Sequence, residues 1–446
     1  MSPVTAALDR LEALGRAFDE PASRLRAGGR ITALSPGQYR VEGMTAQARL
    51  GDIVEHRAGD KRHWGEVVRI GSDGVVVSPF ERNADAGVGD PVFRIGPFSL
   101  RPAPDWKGRA VNALGRPIDG GGPLGLGEER PMGDAPPALA RARVGSGLRT
   151  GVRVVDIFTP LCFGQRIGIF AGSGVGKSTL LAMMANADSF DTVVVALVGE
   201  RGREVREFLE DTLGERGRKK TVAVVATGDE SAQARKRAPD TAMRIAEYFR
   251  DRGDQVLLII DSVTRFAHAA REVAAAGGEP PVARGYPASV FTEMPRLLER
   301  AGPGLEGTGS ITAVISVLVD GDDHNDPVAD NVRGILDGHL VLSRAIAEEN
   351  RYPAVDPLAS LSRLAPRAWS EAERALVGSL RAMIARFEET RDIRLMGAWT
   401  PGSDPTLDAA VRQVPVIFEA LCQRPGEPMS RDSFADLARF LKARDG

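Results

Sequence analysis

A lysine and a hydroxyl that follow a run of glycines make a phosphate-binding combination. The sequence carries one in Ala171-Gly172-Ser173-Gly174-Val175-Gly176-Lys177-Ser178-Thr179. Glycines let backbone N–H groups turn inward toward an anion, and a helix starting there adds the positive end of its dipole. Lys177 would reach the β- and γ-phosphates of a nucleoside triphosphate, and the Ser178 hydroxyl would complete the shell of a Mg²⁺ ion. Residues Gly172 to Thr179 are therefore the expected nucleotide contacts. One position departs from the usual pattern: Ala171 stands where a glycine is normal, five before Gly176. It adds one methyl and is compatible with a strand end.

Two acids complete the set. "QVLLIIDSVTRFA" runs an apolar strand into Asp261, where a carboxylate on a neighbouring strand could hold Mg²⁺ through water. "VVVALV" leads into "GERGREV", which places Glu200 at the same expected sheet edge, able to orient an attacking water. Arg201 and Arg203 stand beside it. Alone, "GERGRE" would be a solvated charged loop. Following a buried strand between the phosphate loop and Asp261, it becomes a catalytic candidate, with Arg201 included.

The elements that must position these groups alternate. From about 150 to 365, apolar β-branched runs such as "QRIGIF", "TVAVVA" and "ITAVISVLV" are separated by helical segments. Ala242, Ile245, Ala246 and Phe249 form one helical stripe, closed by Gly253. This pattern predicts an α/β domain with a mainly parallel sheet, whose ligands collect at the C-terminal strand ends. Before it, residues 26–95 carry short strands between turn signals such as Ser35-Pro36-Gly37, the texture of a small β-barrel or sandwich. "GRPIDGGGPLGLGEERPMGDAPP" reads as irregular chain over a surface. After 366 the pattern is helical: Ser370 and Glu373 form a capping-box signature, and Leu376, Leu380, Ile384 and Phe387 a stripe. Pro401, Pro405 and Pro415 are expected to break these elements. Over 1–25, Leu8, Leu11, Leu14 and Phe18 predict an amphipathic helix, either packed on its own domain or docking a partner.

Composition narrows the classes. At 446 residues, two or three domains are expected. Lys plus Arg is 58 and Asp plus Glu 60, a net charge of −2, which gives no support for a nucleic-acid binder working by bulk charge. Cys162 and Cys422 lack metal-ligand spacing and read as small buried apolar residues. No stretch has the length and apolarity of a spanning helix, and the N-terminus is no signal peptide, so a cytoplasmic protein is expected.

The motifs together resemble a family. "AGSGVGKSTLL", "GERGREVREF", "IIDSVTRFA", "GYPASVFTEMPRLLERAG" and "RYPAVDPLASLSR" are similar, in this order, to the catalytic subunits of rotary-type ATPases. "VLVDGDDHNDPVADNVRGILDGHLVLSR" resembles the ATPases of type III protein export within that family, the flagellar branch most and the injectisome branch next. The resemblance implies a P-loop (RecA-like) α/β core with a mainly parallel sheet, an N-terminal β-barrel and a C-terminal α-helical domain. It implies ATP and Mg²⁺, and a homohexamer with each site at a subunit interface. Arg363 of "SLSR" would then be an arginine finger toward the neighbour, and Tyr352 would stack on adenine. A second adenine wall would come from "VPVIFEALCQ". Implied partners are a stator-like regulator on the N-terminal helix, chaperone–cargo complexes, and the export gate at the inner membrane, with no specific nucleic acid. The implied location is cytoplasmic, peripheral to that membrane. Two other expectations compete: an ATP synthase catalytic subunit, which needs a non-catalytic homologue, and an RNA- or DNA-translocating ring. The latter calls for stacking aromatics in the barrel segment, where only Tyr39, Trp64 and Phe80 lie between 30 and 90.

Overall fold

The computed structural model describes residues 27–82, 84–129, 136–137, 139–319 and 326–444. The expected helix over 1–25 and part of the segment from Val317 to Arg344 lie outside them. The chain divides into two compact units after Phe98.

In the first unit, six strands close into a barrel: β1 (Gly28–Ser35), β2 (Gln38–Glu42), β3 (Asp52–Ala58), β4 (Lys61–Gly71), β5 (Gly74–Pro79) and β6 (Pro91–Pro97). Their order is β1-β2-β5-β4-β3-β6, and β6 returns to β1 through Gly28 opposite Phe93. Closure removes sheet edges and encloses Ile31, Val41, Val54, Val67, Val75, Val77 and Val92. Register shifts between Ile31 and Ala33, and between Val67 and Arg69, supply local bends of the kind a small barrel needs.

The second unit is built on a sheet of seven parallel strands with an antiparallel end. These are β7 (Ala110–Asn112), β8 (Arg166–Ala171), β9 (Thr192–Val198), β10 (Thr221–Ala226), β11 (Gln255–Asp261), β12 (Ser310–Leu318), β13 (Gly338–Leu342) and the antiparallel β14 (Leu361–Ser362). A two-residue bridge, Gly302–Pro303, pairs beside β12. The order is β14-β13-β8-β12-β11-β9-β10-β7. All seven residues of β9 and all six of β10 are buried, as continuous β-branched runs covered on both faces require. β7 comes from the segment that joins the two units and completes the sheet edge beside β10.

Helices cover the sheet. Helix Ala232–Asp251 buries Ala242, Ile245, Ala246 and Phe249 as expected, and Gly253 at φ 100° turns the chain into β11. The capping box of Ser370 and Glu373 is present on helix Glu371–Glu389. Its buried stripe is Val377, Leu380 and Ile384, with Phe387 partly buried; only the first expected position differs, Val377 taking the place of Leu376, which faces solvent. Pro405 sits in the first turn of helix Pro405–Leu421, where its missing N–H costs nothing. Pro415, expected to end an element, lies inside that helix. Burial of Ala410, Val414, Ile417 and Leu421 along one face outweighs the lost hydrogen bond. Cys162 is buried, whereas Cys422 is only half-buried.

Candidate active site

The site gathers at the C-terminal edge of the parallel strands. β8 ends at Ala171, the chain loops through Gly172–Gly176, and helix Lys177–Ala185 begins. Gly174 at φ 78° and Gly176 at φ 90° adopt the left-handed conformation that side chains resist, which accounts for glycine at both. Ala171, at the strand end, keeps an ordinary pairing opposite Leu318 and Leu342.

Strand order departs from the expectation of adjacency. β12 stands between β8 and β11, so Asp261 is not on the strand next to the phosphate loop. A long lysine closes that gap. Lys177 Nζ donates to Asp261 Oδ1, and Glu200 Oε1 lies 3.8 Å from the same nitrogen. β9 pairs directly with β11, Leu197 opposite Asp261, which brings the residues after Val198 to the same edge. The side chains of Lys177, Glu200 and Asp261 are 11%, 14% and 4% exposed.

A fourth charge joins them. Arg265 Nε lies 3.5 Å from Glu200 Oε1. Arg265 leaves the first turn of helix Val263–Ala276, capped by Ser262, and presses on Gly199, where a Cβ would come within 2.7 Å of its Cδ. Glycine at 199 is what permits this approach. Two cations thus face two carboxylates. Burial pushes the Glu200 carboxyl above the usual carboxylate range, the Asp261 charge adds to this, and Lys177 and Arg265 oppose it. Arg265 sits inside a motif already noted for Asp261, four residues on, yet motif spacing alone does not single it out. Arg344 is similar: its Nη2 donates to the Ser173 carbonyl at 3.4 Å from the end of β13.

Three other expected residues are placed differently. Arg201 caps helix Gly202–Glu207 and its side chain is 74% exposed, paired with Glu204 at 3.8 Å. The structure does not bring its guanidinium into the Lys177 cluster. Tyr352 stands against the phosphate loop, its ring 3.3 Å from where a Cβ on Gly176 would lie. Its carbonyl accepts from the Gln423 N–H at 2.8 Å, and the Arg351 guanidinium covers the Phe418 ring at 3.9 Å. The "VPVIFEALCQ" stretch therefore reaches the neighbourhood of Tyr352. Arg363 is exposed at the opposite edge of the sheet. Its N–H bonds the Asp337 carbonyl, and Asp337 bonds the start of β8 at Arg166. Five residue steps along β8 then separate it from Ala171, roughly 16 Å of strand.

Glycines in the left-handed conformation and a lysine held only by carboxylates fit a triphosphate, and the Ser178 hydroxyl is exposed beside them. Among the described residues no group of three or more His, Cys, Asp or Glu could hold a metal alone. Mg²⁺ is bound through one or two protein oxygens, water and phosphate, and Ser178 and Asp261 offer oxygens beside Lys177. No helix among the described residues is long and apolar enough to cross a membrane.

Residues 151–362 match the model of the ATP synthase alpha/beta family, nucleotide-binding domain, and residues 369–439 match the type III secretion EscN ATPase C-terminal domain. The chain is 58% identical over 98% of its length to the flagellum-specific ATP synthase of Agrobacterium fabrum, covering 93% of that protein. It is 43% identical over 89% of its length to the type 3 secretion system ATPase of Xanthomonas euvesicatoria, covering 90% of it. Among solved structures it is similar to the assembled ATPase EscN from the enteropathogenic E. coli type III secretion system. The TM-score is 0.85 at 39% identity, over 93% of this chain and 99% of EscN. EscN has also been solved in complex with its central stalk EscO, with a TM-score of 0.84, 38% identity and the same coverage of both chains.

Proposed function

This chain belongs to the family of flagellum-specific ATP synthases and type III secretion ATPases, which hydrolyse ATP, and from that premise we propose that it works as a Mg²⁺-dependent homohexamer energising flagellar protein export. The reading extends to chaperone–cargo release and unfolding. The flagellar branch is favoured by 58% identity to a flagellar relative against 43% to a secretion-system relative.

The observation that carries the chemistry is the convergence of Lys177, Glu200 and Asp261 on one sheet edge beside a glycine loop. Lys177 leaves Asp261 for the β- and γ-phosphates when nucleotide binds. Ser178 and, through water, Asp261 would hold Mg²⁺, which supplies charge neutralisation on the phosphate oxygens. Glu200 accepts a hydrogen bond from the attacking water and aligns it, and Arg265 keeps that carboxylate aimed. Tyr352 offers a face to the adenine ring. Arg201 contributes charge at the rim through the loop it shares with Glu200.

Arg363 acts on the neighbour. It sits at the wrong edge of the sheet for its own phosphate loop, so only a ring in which each chain meets the next can use it. Such a ring, seated around a stalk and peripheral to the inner membrane, would present the N-terminal segment to a stator-like regulator and the C-terminal helices to cargo complexes and the export gate. The test is direct: purified protein should release phosphate from ATP only with Mg²⁺, and gene deletion should abolish filaments. Phosphate release that persists undiminished in Lys177→Ala would refute the reading of the site.

A further inference from the structure

A cavity of about 240 Å³ lies at the β10 side of the sheet, away from the phosphate loop. Ala223 and Val225 of β10 line one wall, and Val205, Leu209 and Leu213 line the other, with Ile118 at the lip. This exceeds the roughly 150 Å³ apolar cavity that admits benzene in an engineered protein. The second wall is the helical run that starts two residues after Glu200, and Gly202 itself borders the space. Along that run, Leu213 N–H bonds the Phe208 carbonyl at 2.9 Å, a five-residue π turn. Such turns are rare and occur frequently at functional sites. β10 is tied to the catalytic loop as well. Gly199 N–H bonds the Ala226 carbonyl at 2.7 Å, and Gly228 N–H bonds the Glu200 carbonyl at 3.1 Å.

The charges around the cavity are unequal. Arg109 is held bidentate by Asp119, both contacts 2.8 Å, and Arg206 by Glu210 at 2.8 Å. Arg218 also borders the space, and among the described residues no carboxylate lies within ion-pair distance of it. An apolar slot with one uncommitted guanidinium suits a hydrophobic body bearing an anion.

We propose that this cavity binds a compact hydrophobic carboxylate, its body between β10 and the helical run and its anion on Arg218, and that occupancy holds Glu200 as seen here. Glu200 belongs to the proposed nucleotide site, so a ligand that biases its loop alters nucleotide affinity, and the coupling runs equally in both directions. The coupling to nucleotide rests on the ATPase reading; the binding does not.

The experiment titrates 4-phenylbutyrate into the full chain by calorimetry, with and without a non-hydrolysable ATP analogue and Mg²⁺. Saturable binding is expected, abolished in Leu209→Trp, which fills the slot, and weakened about tenfold in Arg218→Ala. The nucleotide analogue should change the probe's affinity by the factor by which the probe changes the analogue's. Ile118→Trp at the exposed lip provides a second block should Leu209→Trp fail to fold. Absence of saturable binding, binding unchanged in a folded blocked variant, or independent affinities for probe and nucleotide would each overturn the proposal. A chain that meets all three binding expectations yet never hydrolyses ATP would refute the ATPase reading and leave the cavity assignment standing.

Discussion

Mixing two inactive variants tests the placement of Arg363. Its backbone lies at the start of β8, roughly 16 Å of strand from the phosphate loop of the same chain, so the proposed finger role requires a site on a neighbouring chain. Removing an arginine finger costs about 10³–10⁵ in rate, or roughly 4–7 kcal/mol of barrier. Arg363→Ala alone should therefore fall at least about a thousandfold, as should Lys177→Ala. In rings assembled at random from equal parts of the two, about one interface in four pairs an intact Lys177 with an intact Arg363 from the next chain. Phosphate release should return to about a quarter of the wild-type rate, hundreds of times above either variant alone. The assay is steady-state phosphate release after dissociation and reassembly of the mixture. Activity that stays at the level of the separate variants, with mixed rings demonstrated by mass, would refute action between chains.

Further tests address the rest of the site and the scaffold. Burial and Asp261 raise the Glu200 pKa, so hydrolysis should fall on acidification at a pH above the ordinary carboxylate value of about 4.3. Glu200→Gln should lose turnover by orders of magnitude together with that acid limb. The folded chain holds the Glu200 proton more tightly than the unfolded chain does. The stability this contributes is present below the ordinary value and lost as pH rises through the raised one. Glu200→Gln should therefore raise the melting temperature at neutral pH, and a fall would contradict the assignment. Gly176→Ala places a methyl 3.3 Å from the Tyr352 ring at φ 90°, a strain of about 1–2 kcal/mol, and should weaken nucleotide binding measured by titration. Arg300 bonds Glu247 at 2.9 and 2.8 Å and also meets Asp240, all three buried or nearly so; Arg300→Ala should cost about 3–5 kcal/mol, seen as an earlier denaturation midpoint.

The strand, glycine loop and helix start were legible in the chain because they are local. A strand, left-handed glycines, a lysine and a hydroxyl are consecutive residues, and their geometry follows from backbone sterics and a helix terminus. Glu200 and Asp261 were legible for a related reason: each ends a buried apolar run, and parallel strands deliver such ends to one edge. Strand order was not. Nothing within β8, β11 or β12 says which lies between the others, because pairing partners are chosen by packing across the whole sheet. Only the folded chain therefore shows Lys177 spanning an intervening strand, Arg265 seated on Gly199 against Glu200, and Arg344 on the Ser173 carbonyl. Pro415 makes the same point for a helix, since its local penalty is overcome by apolar surface that only tertiary contact supplies. Arg363 marks the division most clearly. Its type and motif are written in the sequence, but which site it can serve is set by the edge of the sheet at which the turn after β14 leaves it.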